Sequence, residues 1–326
     1  MLDIYFDPKY GKLNESIENG ESIVYKHKSS LGLIHHMFIK REIPIKINNE
    51  VYYDIVTSYG YGGPIILESE NKKLLIEEFE MEFGKYCDEH NIISEFIRFH
   101  PIYKNYIDFQ GIYDTTYLRE TVGTNLKYEE PIKKEFSKST RKTIRRILRE
   151  GIEYEVIDNP KDLSIFTNIY YSTMDRNKAD NYYYFEEEYF ENCLKHFKEN
   201  ILLVNILLDN KIIASSLNFK SNDLLHVHLS GSLSEYLSYS PAYITKYATV
   251  KWAKENNYKY IHYGGGTSNS IEDSLYKFKK KFGKNTNFQY YNGKKIWNDK
   301  VYKQLCEERN VRIDTEFFPA YRFEGI

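Results

Sequence analysis

A lysine set between two phenylalanines, in Phe278-Lys-Lys-Lys-Phe-Gly283, follows a triple glycine at Gly264, Gly265 and Gly266. A lysine partly withdrawn from water can hold an oxyanion, and charge aimed in advance at a developing oxyanion is usually the largest catalytic contribution. A glycine run at a strand end allows close backbone approach or positive φ. The combination suits acyl transfer to an amine, with Lys279 facing the oxyanion and the glycines beside the substrate. His226 and His228 alternate with Leu225, Val227 and Leu229, so both are expected on one strand face, and His228 becomes a candidate proton relay for the amine. Asp54 is a candidate to hold that amine, and Arg98 and Arg176 carry planar forks suited to phosphate or carboxylate. Tyr59-Gly-Tyr-Gly-Gly-Pro64 offers Tyr59, Tyr61, Gly62 and Gly63 as a loop whose amides could receive an acceptor's phosphate or sugar. Each residue also has a structural reading. The lysines flanking Lys279 would face water, the glycine runs would be plain turns, and Asp54, Asp108, Asp175, Arg98 and Arg176 would be ion-pair members.

Two stretches with one order of elements must position these residues. A strand at 224–230, a loop to 240, a helix opening at Pro241 and a strand at 258–263 lead to the glycine triplet and the lysine-bearing helix at 275–283. The same order occurs earlier: a strand at 51–57, the loop 58–64, a helix at 71–89 and a strand at 92–99. The repetition reads as a tandem duplication of one α/β unit. Strands at 201–208 and 211–219 flank Asp209-Asn210, a two-residue hairpin signal. The helix at 71–89 places Leu75, Phe79, Phe83 and Tyr86 on one buried face. A strand is expected at 31–39, another at 287–291, and a tail helix at 299–308. Domain one is expected over 1–150, completed by 298–326, and domain two over 151–297.

The chain has 326 residues and a net charge of −2, so no global field advertises a nucleic-acid partner. Its 32 tyrosines accompany abundant Lys, Asn and Ile and are read as compositional drift, not as a stacking platform. No apolar run approaches the roughly twenty residues a membrane span requires. The N-terminus has no basic start and no apolar core, which argues against a signal peptide and for a cytoplasmic protein. Cys87, Cys193 and Cys306 lack metal-ligand spacing, and His-x-His has no third ligand near it in sequence, so no metal is expected. The stretch 132–149 carries Lys133, Lys134, Lys138, Arg141, Lys142, Arg145, Arg146 and Arg149 around an apolar row of Ile132, Phe136, Thr140, Ile144 and Ile147. It is read either as a solvated helix or as a helix facing the phosphates of a nucleotide-linked or tRNA-linked substrate.

Four stretches carry a family resemblance: Tyr53-Asp54 with the 59–64 loop, Arg98-Phe-His-Pro101, the segment 139–146, and the glycine triplet with Phe278-Lys279 and Phe282-Gly283. In this order they resemble the FemAB/FemX-type peptidyl- or aminoacyltransferases, built from two GNAT-like domains. The resemblance implies an α/β fold of two tandem GNAT-like domains, with mixed, mostly antiparallel sheets flanked by helices. It implies transfer of an aminoacyl or acyl group to an amine of a peptidoglycan or related cell-envelope precursor, with Lys279 at the oxyanion. No cofactor is expected to be bound permanently, and the donor is aminoacyl-tRNA or acyl-CoA. The chain has no long charged heptad insertion, unlike members with a helical arm. Its 231–241 loop has one glycine and no base, where CoA-dependent GNAT enzymes carry a basic, glycine-rich pyrophosphate loop. The alternatives are an acetyl-CoA N-acetyltransferase acting on a nucleotide sugar or capsule precursor, and a non-catalytic precursor-binding protein. The general base, the acceptor and the oligomeric state are not legible in the sequence.

Overall fold

A computed structural model describes residues 2–323. The chain packs as two compact units, one holding 5–118 and 289–323, the other holding 2–4 and 119–288. The division thus falls at 118/119 and 288/289, where the sequence suggested 150 and 298. The physical reason is that the strand reaching residue 125 and the basic helices after it belong to the core of the second unit.

The first unit opens with α1 (Pro8–Leu13) and α2 (Glu15–Glu18), followed by β1 (Glu21–Ser29), β2 (Gly32–Glu42), β3 (Tyr53–Val56) and β4 (Ile65–Ser69). Next come α3 (Lys72–Glu89), β5 (Ile92–Arg98) and α4 (Tyr106–Phe109). Asn71 starts α3 by accepting the amide of Leu74, and Leu75, Phe79, Phe83 and Cys87 form its buried row at i+4 steps. That row packs on Ile34, Phe38, Ile55, Ile92 and Ile97 of the sheet. β3 and β5 are parallel, with α3 as their crossover, whereas β2 is antiparallel to β1, β3 and β4.

β6 (Asp114–Asn125) leads into the second unit, which contains α5 (Pro131–Glu135), α6 (Lys138–Arg149), β7 (Glu153–Asp158), α7 (Ser164–Asn177) and α8 (Glu187–Phe197). β8 (Ile201–Leu208), β9 (Lys211–Ser221), β10 (Leu224–Ser232), α9 (Pro241–Glu255), β11 (Tyr260–Gly264) and α10 (Ser274–Lys280) follow. Its strand order runs β6-β11-β10-β9-β8-β7. Asp209 and Asn210 join β8 to β9 with φ of 49° and 62°, the two positive values that a tight hairpin turn demands. β10 and β11 are parallel, with α9 as crossover, and the other pairings within this sheet are antiparallel. Each unit therefore contains one strand-helix-strand crossover in a mostly antiparallel sheet, as the repeated order of elements implied. Ile144 and Ile147 of α6 share a core with Ile244 and Ala248 of α9 and with Leu202, Val204, Leu225 and Ile261 of the sheet.

The 132–149 stretch is not one helix. Ser137 accepts the amide of Thr140 as the N-cap of α6, which breaks the stretch after α5. β12 (Asn287–Ile296) and α11 (Asp299–Glu308) complete the chain's regular elements among the described residues. From Asn292 to Ile296, β12 pairs antiparallel with β5. α11 buries Val301, Tyr302, Leu305 and Cys306 in one cluster with Ile43, Tyr52 and Ile93. No helix among the described residues is long and apolar enough to cross a membrane.

Candidate functional site

Lys279 lies near the end of α10, and its Nζ donates to the carbonyl of Gly265 at 2.6 Å. The side chain is partly buried. Desolvation, then the charges of Lys246 and Arg119, draw its pKa down to about 7, against a smaller opposing pull from Asp273. Asp273 is the N-cap of α10, bonded to the amide of Tyr276 at 2.8 Å. Its other oxygen receives the amides of Thr267 and Ser268 and the hydroxyl of Thr267 at 2.6 Å. These donors, the Thr267 hydroxyl first, hold the carboxyl far below the usual carboxylate range. Arg119 closes the other side, its Nη1 donating to the carbonyls of Gly266 and Ser268, both at 2.9 Å.

The glycine triplet is the floor of this arrangement. Gly264 has φ of 73°. A Cβ on Gly266 would stand 2.3 Å from an Asp273 oxygen, and one on Gly265 would meet Arg119 at 3.2 Å. The triplet therefore lets a carboxylate and two cations approach one stretch of backbone. Its carbonyls at 265 and 266 carry the contacts.

Lys246 was missed in the sequence. It stands on the inward face of α9, in the row that continues with Thr249, Val250 and Ala253, and is only 6% exposed. Its ammonium lies over the ring of Tyr263, 5.1 Å from the centroid. Burial alone lowers its pKa to about 8. The available signal was a lone lysine in an otherwise apolar helical row. Lys280 and Lys281 point elsewhere: Lys280 donates to the Gly283 carbonyl and Asn287, and Lys281 to the Tyr243 hydroxyl at 2.9 Å.

The two histidines do not share one environment. A bulge between Val227 and Leu229 leaves His228 out of the strand register. His228 is bonded to the Tyr189 hydroxyl at 2.7 Å and walled by Phe185, Tyr189 and Phe219, and burial lowers its pKa to about 3. His226 instead meets the Asp3 carboxylate at 2.8 Å and packs edge-on against His262. The expected relay through His228 is replaced by a neutral ring in an aromatic pocket. Arg176 donates to the Ser232 carbonyl at 2.6 Å and to the Ser234 hydroxyl. It ties down the entrance to the 233–240 loop. That loop is a short 3-10 helix, Ser234–Tyr239, whose amides of Tyr236 and Ser240 are spent on its own carbonyls.

In the first unit, Asp54 is fully buried, and its oxygens are bonded to Arg41 at 2.7 Å, to the Tyr321 hydroxyl at 3.2 Å and to Arg322. This ion cluster fastens the 320–322 turn to β2 and β3, which corrects the amine-holding role expected of Asp54. Arg98 donates to the Thr57 carbonyl at 2.8 Å and pairs with Glu18 at 3.3 Å. Tyr59 accepts the Tyr10 hydroxyl on its carbonyl, and the ring of Tyr61 meets those of Tyr5 and Tyr290. The amide of Gly62 is bonded to the Arg98 carbonyl at 2.8 Å, and a Cβ on Gly63 would meet Ile97 at 2.7 Å. The 59–64 loop is thus sewn to β5 by a glycine amide that the sequence reading had offered to a ligand.

Residues 134–280 match the family model described as "Acetyltransferase (GNAT) domain". The UDP-N-acetylmuramoylpentapeptide-lysine N(6)-alanyltransferase of Weissella viridescens is 23% identical over 175 residues, or 53% of this chain. The match spans about half (51%) of that relative's length. Among solved structures, FemX superposes with a TM-score of 0.69 at 14% identity, covering 93% of this chain and 94% of FemX. L-PGS from Bacillus licheniformis superposes with a TM-score of 0.53 at 14% identity, covering 95% and 98%. The chain has the FemX fold, two GNAT-like units in tandem, and is similar to the FemX-type transferases in sequence.

Proposed function

We propose that this protein is an acyltransferase that moves an aminoacyl or acyl group from an activated ester or thioester to an amine of a peptidoglycan or related envelope precursor. The observation that carries the reading is Lys279: an ammonium in a partly desolvated position, oriented by the Gly265 carbonyl at the end of β11. An ammonium has three donors. One holds Lys279 in place, and the geometry leaves the charge to face a carbonyl brought beside the triplet. When the amine attacks, a C–N bond forms and negative charge gathers on the carbonyl oxygen. Lys279 stabilises that charge, and collapse of the intermediate breaks the bond to the leaving oxygen or sulfur, which departs with the proton that the attacking amine gives up. The likeness to an enzyme whose name specifies alanyl transfer to a muramoylpentapeptide lysine supports the acceptor class.

For the donor, an aminoacyl ester on tRNA fits better than acyl-CoA. Lys138, Lys142, Arg145 and Arg149 form an exposed basic face on α6. The loop where a CoA-dependent enzyme would present free amides to pyrophosphate is instead a self-bonded 3-10 turn. The test is a mass-shift assay with a lysine-containing UDP-N-acetylmuramoyl pentapeptide as acceptor. Alanyl-tRNA and acetyl-CoA serve as donors in parallel reactions. Alanylation is the expected outcome. Acetylation alone would establish the CoA-dependent enzyme instead, and no transfer with either donor would count against the whole reading.

A further inference from the structure

The second unit holds a buried lysine that none of its carboxylates pairs with: Lys220 meets Asp158, whereas Lys246 has no ion pair among the described residues. Lys246 is 6% exposed, and apart from the face of the Tyr263 ring its ammonium has no hydrogen-bond partner among the described residues. Tyr263 is itself fixed, its hydroxyl 2.7 Å from Thr124 Oγ1. Two residues beyond that ring the Gly265 carbonyl receives Lys279, and the next carbonyl receives Arg119. Lys246 and Arg119 both act on Lys279 through their charge. The carboxylate that counters them there is Asp273, whose oxygens are already occupied by Thr267, Ser268 and Tyr276. Burial of this side chain disfavours its charged form, and ammonium groups so placed are ordinarily paired or deprotonated. Neither loop geometry nor core packing explains this one, because an apolar side chain would fill the same row of α9 without that cost.

We propose that Lys246, Lys279 and Arg119 form an anion site that receives a phosphate group carried by one of the substrates. With Lys246 and Lys279 protonated, three cations less the one carboxylate leave two positive charges, which match a phosphate dianion. Arg119 supplies the planar fork and the lysines supply point charges. The pairing would give Lys246 the partner it lacks and would keep Lys279 protonated beside the reacting carbonyl. The inference rests on the transferase reading only for what carries the phosphate. Binding itself needs no turnover, so the two can fail separately.

The experiment uses the full chain with inorganic phosphate and pyrophosphate as probes, with acetate at matched ionic strength as control. Melting temperature and calorimetry are measured for the native protein, Lys246→Met and Lys246→Gln. Phosphate or pyrophosphate is expected to raise the native Tm and bind at least about tenfold more weakly to both variants, since each tenfold is 1.4 kcal/mol of lost pairing. Without anion, Lys246→Met is expected to melt at or above the native temperature, because an unpartnered buried charge has been removed. A lysine kept for structure alone would give the opposite: a lower Tm and an unchanged response to anions. Equal stabilisation by acetate, or phosphate binding undiminished in Lys246→Gln, overturns the proposal. If Lys246→Met fails to fold, Lys246→Gln with native-like circular dichroism decides the matter.

Discussion

Replacing Lys279 separates its chemistry from its packing. Removal of one oxyanion donor typically lowers turnover by about 100- to 1,000-fold, and that is the expected loss for Lys279→Met. Lys280→Ala and Lys281→Ala should retain turnover, because their ammonium groups are aimed at Asn287 and Tyr243 rather than at the triplet. The pH dependence tests the same idea from another side. Lys279 must be protonated to hold an oxyanion, and its pKa in the fold is about 7. Roughly a tenth of the molecules would then carry the charge one pH unit above that value and roughly a hundredth two units above. An arginine stays charged throughout this range. The ratio of native to Lys279→Arg kcat/KM, which reports the free enzyme, should therefore fall about tenfold per unit above neutrality, a comparison that cancels ionisation of the substrate amine. Stability should move the other way. A lysine whose pKa is depressed in the fold binds its proton more readily when unfolded, so native stability should rise between about pH 7 and the unfolded value near 10.4. Lys279→Met should lack that rise. Full turnover in all three single variants, or identical high-pH limbs for native and Lys279→Arg, would refute the assignment.

Three further outcomes follow from the same geometry. Asp54→Asn should cost about 3–5 kcal/mol in urea unfolding, because Arg41 and Arg322 lose a buried counter-charge, while turnover per folded molecule stays near native; a specific loss of turnover without loss of stability would restore its catalytic candidacy. Asp273→Ala removes a helix cap that also anchors the amides of Thr267 and Ser268, so stability should drop by about 0.5–2 kcal/mol. Turnover should fall with it, since the carbonyl orienting Lys279 loses its support. CoA should show no low-micromolar binding by calorimetry; such binding, abolished by changes within 234–239, would reverse the donor preference.

The parts of the fold that were legible are those written in short-range chemistry. The helix start near Asn71, Asp209-Asn210 as a two-residue turn and Pro241 at a helix start each depend on a few adjacent residues; the turn and Pro241 stand as read, and Asn71 proves to be the cap one residue ahead of its helix. β6 was not read, since its polar residues outnumber a clear alternating apolar face, and β7, where Tyr154 and Val156 alternate with Glu153 and Glu155, was passed over as a short strand of six residues. α8 went unnoticed behind the tyrosines at 182–184. The break at Ser137 was available as a capping signal but was hidden by a continuous apolar row on either side. Side-chain roles were harder, because they depend on distant partners. Asp54 meets Arg322 across 268 positions, and nothing near Asp54 in sequence announces that pairing. The bulge at His228 undid an alternation that was otherwise regular, since one extra residue changes what every later side chain faces.

The contrast between the two glycine loops shows why the same residue type misleads in one place and informs in the other. At 59–64 the glycines allow the loop to press against β5, and Ile97 occupies the space a side chain at Gly63 would need. At 264–266 the space is occupied by charged groups, Asp273 and Arg119, and the backbone carbonyls are bonded to cations. Close approach of aliphatic carbon to backbone needs no further explanation than packing. Close approach of two cations and a carboxylate to one turn concentrates charge that folding alone would spread out, since each desolvated charge opposes stability. Perturbed lysines beside such a turn are therefore evidence of a site in a way that glycine content is not. What distinguishes Lys279 from the lysines beside it is the carbonyl it bonds and the cations that surround it, which is information held by α9, β6 and the 264–273 turn together.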